Sequence, residues 1–149
     1  MRRLSGVLLA GAVLLLPAFS QNALAQSATT YDGDVVIAAY AVNAGKDADY
    51  EKVIATLKDA LRKSAKPEAK QQLAGWKVIK NSAAQPDGSS LYLHIISPVV
   101  RNADYSITNI VYEVVTDPTA QRDFFDLYKG ALQKPLFVVQ GPLVSDFSK

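Results

Sequence analysis

The sequence predicts an α+β fold, a ferredoxin-like βαββαβ antiparallel sheet with helices on one face. Three observations carry that expectation. The stretch Asp34 to Asn43 is apolar at almost every inner position, as a strand covered on both sides must be. An amphipathic helix follows it, with Tyr50, Val53, Ile54, Leu57, Ala60 and Leu61 recurring at helical spacing. Two short segments then flank Gln85-Pro86-Asp87-Gly88, a strong turn signal, and so form a hairpin.

Taken in order, Asn43-Ala44-Gly45-Lys46 breaks the first strand. Asp47 and Asp49 stand at the positive end of the helix dipole, and Arg62 and Lys63 at its negative end. After Ser64, Lys66-Pro67-Glu68 restarts a short helical turn with Pro67 suited to its first position. Trp76 to Lys80 alternates apolar and polar and reads as the second strand, Leu91 to Ile96 as the third, ended by Pro98. Ser106 to Val115 admits two readings. Ile107, Ile110, Val111 and Val114 make a helical stripe capped by Ser106, while the β-branched content also suits a strand. The spacing fits a period of 3.6 better than 2, so a helix is predicted. Asp117-Pro118 starts another helix, with Phe124, Leu127, Tyr128 and Ala131 facing the core and Pro135 ending it. Leu136 to Val139 is the last strand. No repeat of fixed period and no low-complexity linker divides residues 34–149, which read as a single domain behind a flexible lead-in at 26–33.

Residues 1–25 read as a cleavable signal peptide. Met1-Arg2-Arg3 is positive, Val7 to Leu16 is uncharged and apolar, and Ala23-Leu24-Ala25 is a small-x-small cleavage site. The apolar run is too short for a spanning helix, which needs roughly 20 residues. The expectation is export to the periplasm or beyond, with no membrane span once the signal is gone. The chain has no cysteine, which excludes both a lipid-modified cysteine and disulfide staples. It carries 16 Lys and Arg against 14 Asp and Glu, and losing Arg2 and Arg3 leaves 14 against 14. A domain without net charge does not attract nucleic acid, so none is expected as a partner.

His94 is the only histidine. One imidazole without cysteines or clustered carboxylates does not make a usual zinc site, and no Gly-x-Ser-x-Gly presents a nucleophile, so neither a metal nor a cofactor is expected. His94 stays a candidate general base, against the plainer reading of a histidine bonded within the sheet. Strand alternation puts Tyr92, His94 and Ile96 on one face. Trp76 opens the neighbouring strand, and Tyr40 can share that face. With Tyr105 and Asn109 on the following connection, these residues make a candidate ligand wall for a small planar molecule: Tyr40, Trp76, Tyr92, His94, Tyr105 and Asn109. The plainer reading of the same aromatics is core. Arg101 pairs either with a substrate carboxylate or with nearby Asp104, the latter being favoured.

The first strand ending in Asn-Ala-Gly-Lys, the helix from Asp47 and the Trp76 and Leu91 strands together resemble the dimeric α+β barrel superfamily, which includes the antibiotic-biosynthesis-type monooxygenases. The stretches Leu91 to Ile96 and Ala103 to Ile107 also resemble exported bacterial proteins without an assigned role. The superfamily likeness implies two subunits pressing their sheets together and a pocket between sheet and helices. A physical point agrees: two helices cover one face of a four-stranded sheet, and an identical subunit is the simplest cover for the other. The alternative is a monomer whose Ile107 segment folds over the open face. The segment from Pro98 to Asp117 and the turn after Pro67 depart from the simplest members and put any inherited activity in doubt. Two functions follow as expectations. The first is an exported domain binding a small apolar or aromatic ligand, or a protein partner, without catalysis. The alternative, implied by the resemblance alone, is a cofactor-free monooxygenase or isomerase-like enzyme acting on a quinol-like substrate, with His94 as base and Trp76, Tyr92 or Asn109 orienting the substrate.

Overall fold

Strand β1 (Val35–Val42) is central in a computed structural model that describes residues 27–148; the expected signal peptide at 1–25 lies outside the described residues. It pairs antiparallel with β3 (Ser90–Ile96) on one side and β4 (Leu132–Gly141) on the other, and β2 (Trp76–Lys80) pairs with the far edge of β3. The sheet order is therefore β2-β3-β1-β4. Helices α1 (Asp47–Lys63) and α2 (Ala69–Gly75) connect β1 to β2, and α3 (Ile107–Val114) and α4 (Pro118–Ala131) connect β3 to β4. The fold is mixed α+β, with one open antiparallel sheet, and is compatible with a ferredoxin-like arrangement. None of the helices among the described residues is long and apolar enough to cross a membrane.

Register explains which side chains the helices cover. Val36, Tyr40 and Val42 stand opposite Ile96, Tyr92 and Ser90, and Ala38 opposite His94. Val42 and Tyr92 pack with Tyr50 of α1 and Ala131 of α4, so this face lies under the helices. The opposite face carries Ile37, Leu93 and Ile95, only partly buried, together with Ile79, Phe137 and Val139, which are 48%, 51% and 60% exposed. Apart from Lys77, exposed opposite Ile95, that face is largely apolar and open.

The ambiguous Ser106–Val115 stretch is a helix. The Ser106 hydroxyl accepts the Asn109 backbone N–H, and the apolar stripe packs on α1 instead of crossing the open sheet face. A β-branched sequence takes a helix here because its stripe finds Val53, Leu57 and Leu61 to bury against. Pro135, expected to end a helix, instead sits inside β4 opposite Tyr40, and α4 already stops at Ala131. Proline is tolerated there because β4 is an edge strand and the register shifts beside Tyr40. Pro67 lies in a turn before α2, which begins at Ala69 and runs straight into β2.

Two local contacts fix the region around Trp76. The Ser97 N–H donates to the Gly75 carbonyl at 2.9 Å, and a Cβ on Gly75 would sit 2.8 Å from the Pro98 carbonyl oxygen. Only glycine allows β3's exit to pass so close to the end of α2. The lead-in, read as loose from its polar composition, is also tied down. Thr29 donates its N–H to Asp104 and accepts from the Tyr105 N–H at 2.7 Å, while Tyr31 is buried against Tyr105.

Candidate functional site

His94 projects from β3 into the layer between sheet and helices and is 1% exposed. Both ring nitrogens are bonded. The Trp76 indole N–H donates to Nδ1 at 3.1 Å, and the Tyr50 hydroxyl lies 3.0 Å from Nε2. Indole is a donor only, so Nδ1 must be the bare nitrogen; in the neutral ring the proton then sits on Nε2 and is donated to the Tyr50 oxygen. Protonating Nδ1 would set two N–H groups against each other. Burial pushes the His94 pKa down from 6.5 to about 4, so the ring is neutral at physiological pH. Tyr40 packs edge-on against it with ring centroids 5.0 Å apart, and burial raises the pKa of both Tyr40 and Tyr50.

The six residues of the expected ligand wall divide into three groups. Tyr40, Trp76, Tyr92 and His94 do share the helix-covered face, as register requires. His94 is enclosed behind the others. Tyr105 is buried elsewhere, its hydroxyl accepting the Val100 N–H at 2.8 Å and its ring packed between Tyr31 and Trp76. Asn109 donates its side-chain N–H to the Asp104 carboxylate at 2.8 Å on the far side of that cluster. Asp104 also accepts the N–H groups of Thr29 and Ser106, so it anchors the connection. Arg101 pairs with Asp34 at 3.5 Å and not with Asp104.

The accessible space lies on the outer side of Trp76. Ile54, Leu57 and Leu61 of α1, Leu73 of α2, and Trp76 and Val78 of β2 line an open groove of about 330 Å³, with Lys58 at its rim. Ile54, Leu57 and Leu61 of α1 face this space from one side and Trp76 and Val78 of β2, the last strand of the sheet, from another, while Leu73 of α2 contributes a further wall. Trp76 thus has two surfaces, one on the groove and one holding His94.

Beyond Val78 the groove continues into a shallower depression of about 240 Å³ bounded by Glu51, Ile54, Lys80 and Tyr92. Here the Tyr92 O–H faces two carboxylates, Asp47 at 3.0 Å and Glu51 at 3.1 Å, and Lys80 pairs with Asp47 at 3.1 Å. Burial, together with hydrogen bonds to these carboxylates, raises the Tyr92 pKa. Burial works against ionisation of Asp47, but hydrogen bonds from Ser90, Lys80 and Tyr92 and the charge on Lys80 outweigh it and hold the carboxyl below its usual range. Among the described residues no group of three or more His, Cys, Asp or Glu is placed to hold a metal ion.

Chemically, the groove offers apolar surface, one indole face and the Lys58 ammonium at its rim. A substrate in the groove would meet Trp76 before His94, and a base role for His94 would require Nδ1 to give up the Trp76 hydrogen bond. Sequence reasoning found Trp76 and Tyr92 but missed Tyr50, Leu61 and Leu73. The helix stripe was legible, but nothing in its spacing tells which members line a groove. The chain matches no protein-family model, no curated protein and no solved structure.

Proposed function

We propose that this chain is an exported, non-catalytic binding domain that holds a small apolar or aromatic molecule in the groove between α1, α2 and β2. The observation that carries the reading is the lining itself: five aliphatic side chains around one indole, with Lys58 at the rim as the one charged group. Its size suits a small ligand, since such pockets run upward from roughly 300 Å³. Export rests on the N-terminal charge, apolar run and small-x-small site.

The same reading takes the fold as ferredoxin-like and the working form as a homodimer of the α+β barrel kind. The strand order β2-β3-β1-β4, with every neighbour antiparallel, supports the first. The open apolar face around Ile79, Phe137 and Val139 supports the second, because an identical face is self-complementary about a two-fold axis.

A thermal-shift panel of small arenes and alkanes tests the binding claim. The wild-type chain gains melting temperature with at least one class, and Leu73→Arg or Val78→Arg, each placing a cation in the groove, abolishes the gain while far-UV circular dichroism stays unchanged. A panel that moves neither wild type nor variants defeats the reading.

A further inference from the structure

We propose that the groove takes an apolar molecule bearing a single carboxylate, with its body along Leu57, Leu61, Leu73 and Trp76 and its charge met by Lys58. This rests on the binding function proposed above and adds the chemical class of the ligand.

Charge on α1 carries the argument. Its other basic residues near the groove are matched: Lys52 pairs with Asp49 at 3.7 Å and Arg62 with Asp59 at 3.1 Å. Lys80, at the shallow end, pairs with Asp47. Lys58 lines the groove, is exposed, and has no carboxylate within ion-pairing distance among the described residues. Its nearest acidic neighbour in sequence, Asp59, is engaged by Arg62. The lysine stem follows the apolar wall while the ammonium stays in water, so a carboxylate at the groove mouth is met without being stripped of its own hydration.

The other end sets the direction. Glu51 lies seven residues before Lys58, about 10 Å along the helix, and since Lys80 matches Asp47 it leaves that end with an excess negative charge. An acid therefore enters with its head at Lys58 and its tail pointing toward Val78. A cationic amphiphile meets the Lys58 ammonium at the groove mouth. A neutral ligand gains the groove but not the charge.

The chain has one tryptophan, so its emission reports the groove alone. The test titrates the exported protein with three matched probes, 4-phenylbutyrate, 4-phenylbutan-1-ol and 4-phenylbutylamine, exciting Trp76 at its red edge. The acid is expected to bind about three- to fivefold tighter than the alcohol, as suits an exposed ion pair, with the amine weakest. High salt erases the acid's advantage. Lys58→Gln brings the acid to the alcohol's affinity and leaves the alcohol's unchanged. If alcohol and acid bind equally, or the amine binds tightest, the carboxylate class is wrong while the groove stands. If none of the three perturbs Trp76, the groove reading falls and this inference falls with it.

Discussion

The Trp76 indole N–H points at Nδ1 of His94, 3.1 Å away, and so fixes which nitrogen of the only histidine carries the proton. With that bond go the acceptor role of Tyr50 and the orientation of the indole whose other surface lines the groove, while burial keeps the His94 ring neutral. Nitrogen-resolved NMR at neutral pH should show the Nε2–H tautomer. A spectrum of the Nδ1–H form would mean that Trp76 does not donate to this ring.

Removing the donor costs stability. Trp76→Phe keeps an aromatic ring but leaves a buried Nδ1 without a partner, and it should lower unfolding free energy by about 1–3 kcal/mol. Tyr50→Phe, which strands the Nε2–H instead, should fall in the same range. Urea unfolding of both variants measures this. A change near zero in both would show that water enters and satisfies the ring.

The pH dependence has a definite sign. Between about 6.5 and 4 the unfolded chain binds a proton on His94 that the folded chain refuses. Stability is thus full above pH 6.5 and lost as pH falls through this window, by roughly 3 kcal/mol if the whole shift is realised. The imidazole carbon-bound protons should also show no titration above pH 5. Equal stability at pH 7 and 4.5, or an ordinary titration near 6.5, would contradict the enclosed ring.

Gly75 has a steric task. Gly75→Ala sets a Cβ against the Pro98 carbonyl oxygen, backbone against backbone, so one chain must move. A loss of about 1–3 kcal/mol is expected, with a shift in the emission of adjacent Trp76. An alanine variant as stable as wild type would show that the α2–β3 seam is loose.

The open sheet face makes a separate prediction. Phe137→Asp combined with Val139→Asp charges two exposed positions of β4 and should convert a dimer to a monomer in sedimentation velocity, with secondary structure retained. A wild-type monomer, or a variant that remains dimeric, rules out pairing through this face.

Much of this architecture is legible in the sequence. The α1 stripe, the Pro86-Asp87-Gly88 turn and the capping groups of Ser106 and Asp117 act locally, so spacing and residue type reveal them. Pro135 misleads because whether a proline ends an element depends on which strand lies at the edge, a property of the whole sheet. The lead-in misleads likewise: polar composition does not show that Asp104, 75 residues beyond Thr29, will hold it. At the site, alternation puts Tyr92, His94 and Ile96 on one face, while the pairing that brings Trp76 alongside them depends on a register the sequence does not fix. Alternation does not distinguish the side of Trp76 that meets His94 from the side that meets Leu61 and Leu73, because the groove is set by how two helices and an edge strand come together in space.

Native mass spectrometry of the protein recovered from an exporting host tests the central claim, ligand binding in the groove beside Trp76, most directly. The account predicts a species carrying the extra mass of one small apolar molecule per chain, lost in Leu73→Arg. A wild-type protein that is ligand-free and acquires no mass from added apolar acids, alcohols or arenes would contradict it.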